Sequence, residues 1–297
     1  MASVLATFLA VSSAWAQTVV FTVPAPATTT AAGLVSDPDN QLYWLAQPAV
    51  DQTAGGPTTT VLGVSGGDSV VARLTIAAAV DVAAIAWHGK SLYLADIADP
   101  DLSRDTVTVY GVPAAAVVGD KEVPYATYPL AYPDGPHDAA ALLMRPDGRI
   151  FLITLDGRMY EAPATLNPGE TTTLAYVGST PTDITAGLFL DTDLLAVRTD
   201  TALLLLDANT RTVTERVSLD SPGRGLTLDL SGAQVLTVTG ADSGVTVASV
   251  PIPGRSPPPT AGPTGQSAVE SRRGTLVMIL AAGILAVVGG ILAFLRR

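Results

Sequence analysis

The chain predicts an all-β fold of radially repeated sheets, a β-propeller of five blades, on three observations. Residues 17–250 carry almost no helical period; apolar residues alternate or run in short bursts between Gly, Pro and Asp, which is the grammar of strands and turns. The bursts repeat: GLVSDPDNQLYWLAQ (33–47) resembles AIAWHGKSLYLADI (84–97), and both resemble segments starting at Ala140, Ala186 and Gly225. The starts lie 51, 56, 46 and 39 residues apart, a spacing that holds three to four strands and matches propeller blades. Stacked blades bury faces that no single blade can bury, and ring closure protects their ends. Six blades is the alternative if 110–130 hides a divergent unit. A β-sandwich is the competing architecture, and five similar units favour the ring.

Taken in order, the chain opens with an apolar run, SVLATFLAVSSA (3–14), followed by Ala14-Trp15-Ala16. Small residues three and one before a break suit signal peptidase, so 1–16 reads as a signal peptide cleaved after Ala16, although its n-region lacks Lys and Arg. The strand Thr18–Val23 has no unit of its own. It is expected to lie beside Val245–Val250 as the outer strand of the last blade and so clasp the ring. After the propeller domain (17–250), residues 251–271, PIPGRSPPPTAGPTGQSAVES, read as an extended Pro/Gly/Ser/Thr stalk. Residues 272–297 hold an uncharged stretch, Gly274–Leu295, between arginine pairs. At 1.5 Å per residue it spans roughly 33 Å, one bilayer core. The expectation is a single-pass plasma-membrane protein with its body extracellular and its C-terminus cytoplasmic. Ala282, Ala286 and Gly290 form a small-residue stripe that could pack against another membrane helix; ordinary use of Ala and Gly in an Ala-rich chain explains it equally well.

Composition excludes several function classes. A net charge of −11 argues against nucleic acid. The absence of cysteine excludes disulfides, thiolate chemistry and Cys-ligated zinc or iron–sulfur centres. No phosphate-binding glycine loop and no HExxH motif is present.

Four stretches are candidates for chemistry. His137, with Asp134 and Asp138 in YPDGPHDAAAL (132–142), could serve as a general base or metal ligand. The competing reading is a Pro-Asp-Gly-Pro turn with Asp138 capping the next strand. Asp96, Asp99, Asp101 and Asp105 share one loop, as a hard cation such as Ca²⁺ would require, though the spacing is not that of an EF-hand. Arg104 could instead pair with Asp96 or Asp99 and pin the loop. Gly63-Val64-Ser65-Gly66-Gly67 is formally G-x-S-x-G, but it runs from strand into strand and reads as a hairpin. Trp87-His88-Gly89-Lys90 reads as a hairpin with its Trp on a blade face.

The motifs at 83–104, 132–142, 197–200 and 224–227 resemble those of the membrane-anchored, secreted β-propellers of high-GC Gram-positive bacteria, akin to phytase-like and esterase-like propeller proteins. The resemblance spans roughly 80–250. It implies a propeller whose inner strands begin with carboxylates facing the central channel. This sequence departs from that pattern: Ala83, Ala84, Ala140 and Leu226 stand where the family has acidic groups. The resemblance therefore implies the fold more than the family's chemistry.

Two functions compete. One is a non-enzymatic cell-surface binding module for a protein, glycan or cell-wall partner. The other is a divergent or degenerate hydrolase, with Ca²⁺ on Asp96, Asp99 and Asp134 as its one expected cofactor. A third possibility is a structural subunit of a membrane complex, joined through the Ala282/Ala286/Gly290 stripe.

Overall fold

The computed structural model describes residues 17–25, 28, 31–47, 58–66, 69–77, 81–114 and 119–252. The expected signal peptide, the stalk beyond Ile252 and the membrane helix with Ala282, Ala286 and Gly290 lie outside the described residues. Among the described residues there is no helix.

Among the described residues, twenty-two strands form five blades whose successive strands pair antiparallel. β1 (Thr18–Pro24) waits for the last of them. The first blade is β2 (Gly33–Asp37), β3 (Leu42–Ala46), β4 (Thr59–Ser65) and β5 (Val70–Ile76). The second is β6 (Ala84–His88), β7 (Ser91–Asp96) and β8 (Val107–Pro113); β9 (Gly119–Glu122) then leaves it before β10 (Ala126–Ala131) returns. The third is β11 (Ala139–Met144), β12 (Ile150–Thr154) and β13 (Arg158–Glu161), with β14 (Thr172–Thr173) leaving and β15 (Ala175–Ser179) returning. The fourth is β16 (Ala186–Phe189), β17 (Leu194–Arg198), β18 (Ala202–Asp207) and β19 (Val213–Ser218). The fifth is β20 (Leu226–Leu228), β21 (Val235–Ala241) and β22 (Gly244–Val250), completed by β1.

The predicted clasp is present: β1 pairs antiparallel with β22, with Thr18 opposite Ser249 and Val23 opposite Val245. Segment 110–130 is not a sixth blade. It contains β9, which adds a parallel strand to the edge of β5, so the second blade caps the first. β14 likewise leaves the third blade and runs parallel to β10. Both additions cover strand edges that would otherwise offer free backbone groups; β9 (GDKE) also carries three charges.

The core consists of five layers, one between each pair of neighbouring blades. Trp44, Leu74 and Leu94 belong to the first interface, and Leu45, Leu62 and Val247 to the interface that closes the ring. Each fully buried Leu or Val contributes about 1.5–3 kcal/mol relative to exposure. The Asp-rich turns explain how the first and second strands of a blade meet. Buried Asp37 accepts from Asn40 N (3.1 Å), Asn40 Nδ2 (2.8 Å) and Trp44 Nε1 (3.0 Å), so its burial is compensated. Asp147 and Asp229 accept backbone N–H groups in the equivalent turns of the third and fifth blades. The second blade uses His88-Gly89-Lys90 instead, with His88 opposite Ser91 and φ positive at both Gly89 (56°) and Lys90 (66°). That is the geometry of a two-residue I′ hairpin.

Candidate functional site: an apolar axial pocket and two carboxylate clusters

The inner strands β2, β6, β11, β16 and β20 surround the propeller axis. Where they begin, the channel narrows to about 10 Å³ between Gly33, Ala83, Ala84, Ala186, Gly225 and Leu226. Where they end, it opens into a pocket of about 150 Å³ to which all five strands contribute, among them Val35, Ile85, Trp87, Met144, Leu188 and Leu228. Among the described residues lining the neck and the pocket, none carries a charge. In the pocket Ser36 and Thr227 supply the hydroxyls, 3.2 Å apart across the seam between first and fifth blades, and Ser36 N donates to Thr227 Oγ1 at 3.0 Å. Three of the positions singled out as lacking a carboxylate, Ala83, Ala84 and Leu226, thus line the neck. Ala140 sits at a bulge in β11, between Ala139 opposite Thr154 and Ala141 opposite Ile153.

Below the neck a buried cation holds the wall in place. Arg198, on β17 and fully buried, donates to the carbonyls of Ser221 (2.8 Å), Thr199 (3.4 Å) and Gly223. Thr185 Oγ1 donates to the Gly223 carbonyl as well, at 3.1 Å. Together they fix the segment that leads into β20. Burial lowers the Arg198 pKa to about 10, partly offset by Asp200, and its Nε has no partner.

His137 and Asp134 do come together, but in a network centred on a tyrosine. Asp134 lies in the turn between β10 and β11, and Tyr160 projects from β13. The Tyr160 hydroxyl is 2.8 Å from His137 Nε2 and 2.9 and 3.0 Å from the two Asp134 oxygens. His137 Nε2 is also 3.1 Å from Asp134 Oδ1, and Arg158 Nη1 donates to Asp134 Oδ2 at 2.5 Å. Tyr132 packs edge-on against His137 and Tyr160, with ring centroids 5.1 and 4.8 Å away. Hydrogen bonds from Tyr160 and His137 outweigh the burial that opposes them and hold the Asp134 pKa below the usual carboxylate value. Burial, reinforced by Asp134 and opposed by Arg158, pushes the Tyr160 pKa up to about 12. Burial raises Tyr132 as well. Through Tyr160 the network bonds the turn to β13.

The second cluster is the loop after β7. Asp99, almost fully buried, accepts from Ser103 N (3.1 Å) and Arg104 N (2.9 Å); these bonds outweigh burial and lower its pKa. Arg104 pairs with Asp96 at 2.5 Å, so the loop is pinned from both ends. Burial nonetheless leaves the Asp96 pKa above the usual value, against the pull of Arg104. Asp138 accepts from Asp99 N at 2.9 Å, linking this loop to the start of the third blade. The carboxylates named for Ca²⁺ are therefore divided: Asp96 and Asp99 serve the loop, and Asp134 serves Tyr160. Among the described residues no group of three or more His, Asp or Glu is placed to hold a metal ion.

Ser65, of the G-x-S-x-G stretch, ends β4 in a hairpin, its N donating to Ser69 O at 2.9 Å. The roles of Trp87, Met144 and Tyr160 were not legible from motifs. One signal pointed towards the region: seven of the eight tyrosines lie between 93 and 176. Neither a protein-family model nor a curated protein matches the chain.

Proposed function

We propose that this protein is a cell-surface binding module, exported, held at the membrane by one C-terminal span, and recognising its partner through the axial pocket. The reading draws its topology from the sequence and its site from the channel. The observation that carries it is the charge-free lining, where a hydrolase of the resembling kind would need carboxylates as ligands or as acid and base. A cavity of about 150 Å³ has room for one benzene-sized group, so the partner presents a single Leu- or Phe-sized apolar group. Ser36 and Thr227 stand beside that group as polar contacts.

Trp87 is a built-in reporter, since Trp44, the other described tryptophan, is fully buried and bonded to Asp37. Titration of the full chain in detergent with 1-hexanol should shift tryptophan emission saturably, and Leu228→Phe, which fills the pocket, should abolish the shift. Turnover of phosphate or carboxylic esters above the detergent blank, with or without Ca²⁺, would refute the reading in favour of the hydrolase.

A further inference from the structure

A second candidate site lies between the third and fourth blades and shares no lining residue with the axial pocket. It starts from a glycine. Gly178 on β15 pairs with Met159 on β13, and the register of the two strands shifts next to that pair. The φ of Gly178 is 129°, in the region that favours glycine. A Cβ added there would lie 2.5 Å from both Nε and Nη2 of Arg211, so the absent side chain leaves the room in which that guanidinium rests. Arg211 belongs to the turn between β18 and β19 of the fourth blade. An irregular strand in one blade thus seats a cation carried by the next.

Beside the guanidinium is a cavity of about 160 Å³. Phe151, Met159 and Phe189, all buried, give it an apolar side, with the two rings 5.2 Å apart. Among the described residues lining it, the charged ones are Arg145, Arg211 and Glu161, an excess of positive charge in a chain of net charge −11. The carboxylates next to Arg145 and Arg149 are engaged. Asp147 accepts from Arg145 Nε at 3.0 Å and from its Nη2, and Glu161 accepts from Arg149 Nη1 at 2.5 Å. Asp207 and Asp193 brace the turn that carries Arg211, by accepting from Asn209 N (3.0 Å) and Asn209 Nδ2 (3.4 Å), and neither lines the cavity. Arg145 lies over the Phe151 ring, 5.6 Å from its centroid, and so joins the charged side to the apolar one.

We infer that this cavity binds a monocarboxylate whose body is one aryl or branched-alkyl group. The fork of Arg211 matches the two oxygens of a carboxylate. The tilted pair Phe151 and Phe189 offers ring edges and faces to the body, and a cavity of this volume has room for one benzene-sized group. Glu161 on the same lining repels a second negative charge, which disfavours a phosphate dianion. The same chemistry occurs in a free acid and in the last residue of a peptide, so the test includes both.

The probe is 3-phenylpropionate, added to the full chain in detergent and followed by saturation-transfer NMR of the ligand. It should bind saturably, and 3-phenylpropanamide, which keeps the body and loses the charge, should bind about tenfold or more weakly. Arg211→Gln should weaken binding of the acid by a similar factor. Arg211→Lys, which keeps the charge and loses the fork, should fall between the two. Leu228→Phe at the axis should leave binding unchanged, so failure here and failure of the axial pocket are separate results. Displacement of the acid by acetyl-Gly-Phe with a free C-terminus assigns the site to a chain end; no displacement assigns it to a free acid. Absence of saturable binding, equal binding of acid and amide, or equal binding by Arg211→Gln would overturn the proposal, as would tighter binding of phenyl phosphate.

Discussion

The interface between the second and third blades and the interface between the fourth and fifth are built on one backbone plan with different side chains. The fourth–fifth layer is aliphatic: Leu203, Leu205, Val217, Val235, Val250 and Ile252 fill it. The second–third layer mixes Leu and Ala with Tyr132 and Tyr160, and half-buried Tyr93 and Tyr128 pack at its margin. Branched aliphatic groups interdigitate to crystal-like density and leave nothing to recognise. Tyrosines supply area but end in a hydroxyl that must find a partner, so they draw in Asp134 and His137 or remain at an opening. At the second–third interface the tyrosines border openings, whereas the fourth–fifth interface is filled by aliphatic groups.

The largest expected effect tests the aliphatic side. Leu203→Ala should cost about 2–5 kcal/mol, because closely packed neighbours cannot collapse into the space. Tyr128→Ala, which borders an existing opening, should cost only about 1 kcal/mol. Chemical denaturation of both variants measures the contrast, and equal losses would erase the distinction between the two layers.

Next comes the tyrosine network. Tyr160→Phe removes the hydroxyl shared by Asp134 and His137 and should cost about 1–3 kcal/mol. It should also change the alkaline limb of stability. The folded Tyr160 pKa lies near 12 against 10.0 for the free side chain, so the unfolded chain loses this proton first. Its contribution is complete below pH 10 and is lost as the pH rises towards 12. Melting temperature against pH, read with tyrosinate absorbance, should fall less steeply across that range in Tyr160→Phe than in the parent.

The smallest effect separates loop from layer. Asp99→Ala removes the acceptor for Ser103 and Arg104 and should cost about 1–2 kcal/mol. The Asp99 pKa is lowered in the fold, so its contribution is present above the free carboxylate value near 4 and is lost as the pH falls below it. Thermal melts between pH 5 and 3 should show a shallower acid decline in the variant. If chelator or added Ca²⁺ shifts the parent's melt and not the variant's, the loop is a cation site and not merely a brace.

Much of the architecture was present in the order of residues. Apolar alternation, Asp- and Gly-bearing turns and a recurring start point are local properties, and Gly33, Ala84 and Ala186 each begin an inner strand where the repeat places it. Even the clasp of Thr18–Pro24 was legible, because an unmatched strand at one end implies an unfilled edge at the other. The added edge strands β9 and β14 were not, since two to four polar residues in a loop carry no period of their own.

The sites depended on distance in the chain. Asp99 meets Asp138 across 39 residues, Tyr160 meets Asp134 across 26, and Ser36 meets Thr227 across 191. The sequence alone determined that blades would form, favoured five while leaving six open, and placed Ala, Gly or Leu at the starts of their inner strands. Only the tertiary structure decided that those strands enclose a charge-free pocket, that the carboxylates of 96–138 serve two separate networks, and that Gly111 leaves room beside Tyr93 and Tyr128. Strand periodicity is set by neighbours two residues apart, whereas a binding surface is set by which blades the closed ring brings side by side.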